Sequence, residues 1–295
     1  MKRILLIPKI SILNANALSS PYTIGFPAMT AWLGATHALE RYLKDIEYDS
    51  LHFKSMAVVC HGIDLQTYKG SGDYVHSIIG TGNPLDKSGN RPSFIEEARC
   101  HLNASLVIEC ENLGLVGYEE FTATVDHLMQ SQLKLAGGDI LKSESSKLIE
   151  IDDEASRRKL LRRLMPGHCL IDRRDLMKQS MEDGQDAINA LLDYLKITHS
   201  SEINDKENVT WTSSRKKKGW IIPIATGFQG ITDLGEAENQ RDPDIPHRFA
   251  ESIVTLGEFV MPYRITNLDN MLWHYHADLE NNLYLCQQNK PTTEI

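Results

Sequence analysis

The five cysteines of this 295-residue chain, Cys60, Cys100, Cys110, Cys169 and Cys286, are scattered, odd in number and lack any CxxC pair. Neither a zinc site nor a disulfide framework is expected from such spacing. Long apolar runs are missing too. The longest, Ile4 to Ile7 and Met56 to Cys60, fall far short of the ~18 residues that span a bilayer, so no membrane segment is expected. Met1-Lys2-Arg3 leads into a short strand-like run without a small-residue cleavage site, which predicts no secretory signal and a cytoplasmic protein. There is no P-loop, GxGxxG, GxSxG or HExxH motif, and no cofactor or metal site is expected. An excess of positive charge is also lacking: 31 Lys and Arg against 40 Asp and Glu leave a net charge of −9. That balance excludes indiscriminate nucleic-acid binding by overall charge, so any such site must be local.

What is present begins with Lys9 to Leu39, KISILNANALSSPYTIGFPAMTAWLGATHAL, a run of small polar residues between an apolar strand at Arg3 to Pro8 and an amphipathic helix at Ala28 to Lys44. Asn14, Asn16, Ser19, Ser20 and Thr23 offer uncharged donors and acceptors, and Pro21, Gly25 and Pro27 stiffen the path. A connection this long inside a compact domain is usually functional or disordered, and Ile12, Leu18, Ile24 and Phe26 argue for order. A purely structural loop shares much of that composition.

Further along, Leu51 to His61 reads as a second strand, and His101 to Cys110, alternating Leu102, Ala104, Leu106 and Ile108, as a half-buried third. Between them, glycines and the turn signals Asn83-Pro84 and Gly89-Asn90 suit a long projecting hairpin, a thumb, over about 62–99. A helix over Glu119 to Leu135 and a closing strand or hairpin from Ile140-Leu141 and Leu148 to Ile151 complete βαββαβ, an α+β, ferredoxin-like or RNA-recognition-like core over 1–150. Residues 151–295 read as a mixed α/β accessory region. It holds helices at Asp152 to Met165, Gln185 to Leu195 and Arg248 to Val260, an exposed polar loop at Ser200 to Lys218, and an edge strand at Gly219 to Ala225. The last residues, Asn289 to Ile295, are expected to fray.

Arg157, Arg158, Lys159, Arg162 and Arg163 form the densest basic patch, suited to phosphates. Asp152, Asp153 and Glu154 open the same helix, and an acidic start with a basic end also suits any surface helix. Arg215 to Lys218, RKKK, reads as a solvated and mobile run, and Gly137-Gly138 as a close-approach point for an RNA strand or, more commonly, a helix C-terminus. His37 on the first helix could act as a general base toward a 2′-hydroxyl, but no second acid or phosphorane-stabilising group identifies itself nearby. The pair His274 and His276 lacks a completing ligand set and reads as packing or interface.

These residues resemble a known family. KISILNANALSSPYTIGFP followed by His37-Ala38-Leu39, then VVCH, NPL, EEARCHL, LAGGDIL, RRLMPG, GWIIPI, HRFAES and LWHYHAD in order along the chain, are similar to the Csy-two family, the Cas-five-like RAMP subunit of the type I-F CRISPR surveillance complex. The resemblance implies a ferredoxin-like, non-catalytic subunit that grips the 5′ handle of the guide RNA. It also implies pairing with the large PAM-reading subunit, a cap on the backbone-subunit filament, and contact with target DNA through the assembled complex. By position, RNA contacts would fall on Asn14, Asn16, Ser19, Ser20, Phe26, His37, Arg99, Arg162, Arg163 and Arg248. The competing expectations are a metal-independent endoribonuclease with His37 as base, and an adaptor that binds protein alone.

Overall fold

Two apolar faces grow from one strand. In β1 (Lys2–Asn16), Ile4 and Leu6 point to one side of the sheet and Leu5 and Ile7 to the other, and all four are 0–1% exposed. A strand covered on both sides must be apolar at successive positions, which is why this stretch reads as a run rather than an alternation. The computed structural model describes residues 1–80, 84–93, 97–114, 117–203, 208–240 and 242–288. Asn83 of the expected turn, Glu96 and the expected frayed end at 289–295 lie outside the described residues.

In chain order the first half runs β1, β2 (Leu18–Ser20), β3 (Thr23–Ile24), α1 (Met29–Ile46), β4 (His52–Leu65), β5 (Thr67–Tyr68), β6 (Ser77–Ile78) and β7 (Arg99–Glu111). It continues with α2 (Tyr118–Ser131), β8 (Lys134–Leu135), β9 (Gly138–Lys142) and β10 (Lys147–Ile151). β4 pairs with β7, β7 with β1, and β1 with both β9 and β10, every pair antiparallel. The connectivity is βαββαβ with β1 inside the sheet. One face is covered by α1 and α2, which contribute Trp32, Leu39, Leu43, Phe121, Val125 and Leu128 to the larger core. α1 is fastened at its end by buried Glu40, which accepts hydrogen bonds from the Phe53 amide at 2.7 Å and from Lys44 at 2.6 Å. β7 differs from expectation: with helices on both sides, Ala104 to Cys110 is buried throughout rather than half-buried.

The second half adds α3 (Glu154–Arg163), β11 (His168–Asp172), α4 (Arg174–Glu182), α5 (Ala187–Leu195), β12 (Thr198–Ile203), β13 (Val209–Ser214), β14 (Trp220–Gly230), β15 (Ala250–Val260), β16 (Trp273–Asp278) and β17 (Leu283–Gln288). α3 begins with a capping box, Asp153 with Ser156, and lays Leu160, Leu161 and Leu164 on the face of the sheet opposite α1, against Ile4, Leu6 and Val59. Among the described residues eleven strands share one sheet. β11 pairs with both β15 and β4, and β16 meets β4 at Trp273↔Met56, so β4, β11, β15, β14, β17 and β16 close a ring of antiparallel strands. Its edges are thereby removed. Inside it the Trp273 indole N–H donates to the Leu170 carbonyl at 2.9 Å.

Three expectations are corrected here. Arg248 to Val260 is not a helix. Ile253, Val254 and Thr255 are β-branched and sit in strand β15 between β14 and β11, and its two-sided burial imitates a helical apolar pattern. Ser200 to Lys218 is not an irregular loop, because β12 and β13 form a ribbon there. Gly137-Gly138 does not end a helix; Ala136 and Gly137, both at positive φ, make the turn between β8 and β9. The expected edge position of Pro223 agrees with its pairing to β15 alone, since β17 reaches only Gly227 to Gln229.

Gly138 is needed for close approach. A Cβ there would stand 2.8 Å from the Ala15 nitrogen and the Leu13 oxygen and 2.7 Å from the Ile12 side chain. Backbone atoms of β1 cannot yield, so Gly138→Ala is expected to lower stability by about 2 kcal/mol or more in chemical denaturation. A change within about 0.5 kcal/mol would refute the tight packing of β9 on β1.

Candidate nucleic-acid interface

β1 is broken twice by residues in the left-handed region, Lys9 at φ 51 and Asn14 at φ 56, where its register with β7 shifts. Asparagine tolerates that conformation better than most side chains. The Asn14 bulge turns its polar groups outward at the end of the sheet where β1, β4 and β7 converge. Its backbone N–H donates to His101 Nδ1 at 3.3 Å, its carbonyl accepts from Arg99 at 3.4 Å, and its side-chain oxygen accepts from Gln66 Nε2 at 2.6 Å. Gln66 in turn holds the root of the hairpin, with its N–H on the Arg99 carbonyl at 2.9 Å and its carbonyl accepting from Ile79 at 3.2 Å. The Arg99 guanidinium also pairs with Glu97 at 2.5 Å. Beyond this cluster β5 and β6 pair, and Tyr68 and Tyr74 stand exposed.

Asn16, exposed, folds its amide onto Leu18, accepting from the Leu18 N–H at 3.0 Å, while its own backbone N–H bonds Ala136 O at 2.8 Å. Ser19 and Ser20 both bond Thr23 Oγ1, at 2.8 and 2.7 Å, and close the turn between β2 and β3. Two of the expected contacts therefore face inward. Ser20 is 5% exposed. Phe26 is 4% exposed, stacked on Trp32 with centroids 5.5 Å apart and edge-on to Phe259 at 5.3 Å, which leaves no ring face for a base. Tyr22, at the tip of that turn, is 80% exposed.

The remaining expected residues are dispersed. His37 lies on the solvent side of α1, opposite the face that buries Trp32, Leu39 and Leu43, and has no hydrogen-bond partner among the described residues. On α3, Arg157 is committed to Glu154 and to the Ile265 carbonyl, and Arg158 to Glu154. Lys159, Arg162 and Arg163 are exposed and have no ion pair among the described residues. Because α1 and α3 cover opposite faces of the sheet, His37 is not brought to Arg162 and Arg163. Arg248 precedes β15 and donates to the side chain of Asn282 beside Gly230, away from the Asn14 cluster. The structure thus gathers Asn14 and Arg99 with Gln66 and His101. The last two were missed, although Gln66 next to Thr67-Tyr68 at a strand end is the kind of polar and aromatic pair that marks such a position.

The other bulge ties the sheet to the end of α3. The Lys9 N–H donates to Ser105 Oγ at 2.9 Å, Ser105 Oγ meets His61 Nε2 at 2.7 Å, and His61 Nδ1 meets the Pro166 carbonyl at 2.5 Å. Lys9 Nζ lies 2.8 Å from the same Nδ1. A Cβ on Gly167 would collide with the His61 ring at 2.6 Å, so the glycine lets the turn after α3 sit flat on it. A serine and a histidine at bonding distance resemble a nucleophile and its base, but Ser105 is 1% exposed and out of a substrate's reach. The network positions the RRLMPG segment.

Burial lowers the His61 pKa below its ordinary 6.5, and the nearby Lys9 charge adds to this against the opposing hydrogen bond to Pro166. The unfolded chain takes up a proton near pH 6.5 that the folded ring resists. Stability from this group is therefore full above pH 6.5 and falls as the pH drops toward the lower folded value. In urea unfolding at about pH 7.5 and about pH 5.5, wild type is expected to lose more stability on acidification than His61→Gln does. Equal losses would remove His61 as the responsible group.

All five cysteines are buried thiols, and burial pushes Cys60 up to about 11 and Cys169 up to about 12. Among the described residues no group of three or more His, Cys, Asp and Glu is placed to hold a metal ion, and no helix is long and apolar enough to cross a membrane.

Comparison with known proteins gives this arrangement its class. A family model described as CRISPR-associated protein (Cas_Csy2) matches residues 5–286. The chain is also 34% identical to the CRISPR-associated protein Csy2 of Pseudomonas aeruginosa (strain UCBPP-PA14), over 95% of this chain and 94% of that protein. The chain belongs to the Csy2 family, as the ordered motifs from KISILNANALSSPYTIGFP to LWHYHAD indicate, and is a Csy2 subunit of the type I-F system.

Proposed function

We propose that this Csy2 subunit clamps the single-stranded 5′ handle of a guide RNA without cleaving it. In this reading it pairs with the large PAM-reading subunit, caps the filament of backbone subunits, and supports antiviral recognition of DNA by the assembled complex. The sheet order β4–β7–β1–β9/β10 within a βαββαβ chain supports a ferredoxin-like core over 1–150, with the hairpin beyond Leu65 and Cys100 as its thumb and 151–295 as an accessory region. The observation that carries the reading is the cluster of Asn14, Gln66, His101 and Arg99 at the root of that hairpin, beside exposed tyrosines. Single-stranded RNA is recognised by stacking splayed bases and reading their edges. Amides and an imidazole can do this on a chain whose net charge is −9, with Arg162 and Arg163, unpaired among the described residues, to meet phosphates.

Handle-RNA binding measured by fluorescence anisotropy tests the clamp. Asn14→Ala with Gln66→Ala is expected to weaken binding about tenfold or more with an unchanged salt slope, since each lost neutral hydrogen bond contributes about 1 kcal/mol. Arg162→Ala with Arg163→Ala is expected to flatten the slope of log affinity against log salt by about 0.7 per lost phosphate contact. Undiminished binding in the first variant would sink the reading. Specific RNA cleavage abolished by His37→Ala would replace the clamp with a nuclease.

A further inference from the structure

The β12–β13 ribbon forms a two-stranded sheet of its own, and its residues are exposed on both faces. An isolated hairpin is marginal in water unless something holds it. Its root supplies one anchor. Lys216 reaches Ser180 Oγ at 3.0 Å and Asp193 at 3.6 Å, and its ammonium lies 4.5 Å from the centroid of the Tyr194 ring. The RKKK run is thus joined to α4 and α5 through Lys216. With Lys216 so engaged, Arg215, Lys217 and Lys218 have no partner among the described residues.

Two features of the ribbon lie on opposite faces, since Thr198 and Ser214 pair in register and alternate away from Ser201 and Trp211. A concavity of about 290 Å³ at the root is lined by Lys196, Arg215, Lys216, Thr198, Ser214 and Asp193. Three cations and two hydroxyls face one carboxylate there, and that carboxylate is already shared by Lys196 at 2.6 Å and Lys216. Along the ribbon, register opposes His199 to Ser213 and Ser201 to Trp211 on one face. Trp211 is 70% exposed with no ring partner among the described residues, whereas Trp32 and Trp273 are wholly buried and Trp220 packs on His168 and Phe259.

We propose that this ribbon is a second nucleic-acid contact, which takes an unpaired strand with a phosphate in the Lys196–Arg215 concavity and a base stacked on Trp211. A strand crossing the edge of the ribbon meets a cationic groove and then an aromatic face, the combination that holds single strands without regard to sequence, and Ser and Thr hydroxyls add phosphate contacts. A duplex offers no free base face to Trp211. The opposed pair Ile203 and Val209 at the far end of the ribbon is apolar, but the charge lies at the root, and a phosphate backbone complements it. The proposal rests on residues outside the handle cluster and goes beyond the handle reading.

The test titrates the full-length protein with a fluorescein-labelled oligothymidylate of about twelve nucleotides, which carries no handle sequence, and follows anisotropy at several salt concentrations. Trp211→Ala is expected to weaken binding between about fivefold and about a hundredfold, and Trp211→Phe to retain most of it. Arg215→Glu with Lys217→Glu and Lys218→Glu is expected to weaken binding and reduce its salt slope. Asn14→Ala with Gln66→Ala is expected to leave it unchanged, so the two sites fail or stand separately. Oligothymidylate binding unaffected by the Trp211 and charge-reversal variants overturns the proposal. So does unchanged oligonucleotide binding combined with loss of co-purification with the other complex subunits in Trp211→Ala, which would assign the ribbon to a protein partner.

Discussion

Burial of β1 on both faces is the constraint from which the rest of the molecule follows. Ile4 and Leu6 must be covered by α3, Leu5 and Ile7 by α1 and α2, and both edges of the strand are taken by β7 and by β9 with β10. A strand so enclosed can present polar groups only where its ladder breaks. The two breaks at Lys9 and Asn14 are therefore the places where the inner strand presents polar groups: one docks the turn after α3 through Ser105 and His61, the other opens the cluster of Asn14, Gln66, Arg99 and His101.

This arrangement is compatible with the nucleic-acid ligand proposed for an acidic chain. Lys2 is tied to Glu109, Lys54 to Glu111, Arg157 to Glu154 and Arg173 to Glu258, so much of the positive charge is neutralised internally. Of the exposed cations without an ion pair among the described residues, those on α3 and at the root of the β12–β13 ribbon lie closest together in sequence, whereas Arg41, Lys69, Lys142, Lys147 and Lys178 are scattered. Screening limits isolated surface charges to short range, so their placement matters more than the sum.

The ring closed by β11 and β16 onto β4 explains why motifs far apart in the chain belong to one body. Phe259 from β15 meets Phe26 from the opening segment, and Trp273 bonds Leu170 across the ring. Phe26 illustrates how such closure redirects a residue. In a loop of small polar groups an isolated phenylalanine looks available for stacking, but Trp32 from the first turn of α1 and Phe259 from the distant strand enclose it.

Local patterning was enough to read α1, α2 and α3 and the strands between residues 1 and 151, because amphipathic periodicity, capping residues and glycine-proline turns act over a few neighbours, but α2 stops at Ser131 rather than Leu135 and β1 runs on to Asn16 rather than ending at Pro8. The opening motif and the ordered matches along the chain were enough to recognise the family. Arg248 to Val260 was misread as a helix, since two-sided burial erases the strand period, and Ser200 to Lys218 as a loop, since an exposed Ser/Thr ribbon carries no apolar signal. The meeting of Asn14 with Gln66, Arg99 and His101, the inward turn of Ser20 and Phe26, and the separation of His37 from Arg162 and Arg163 came from the packing of the whole chain. Those relations join residues dozens of positions apart across a sheet, where pairing register and shared cores, rather than neighbouring side chains, set which groups face one another.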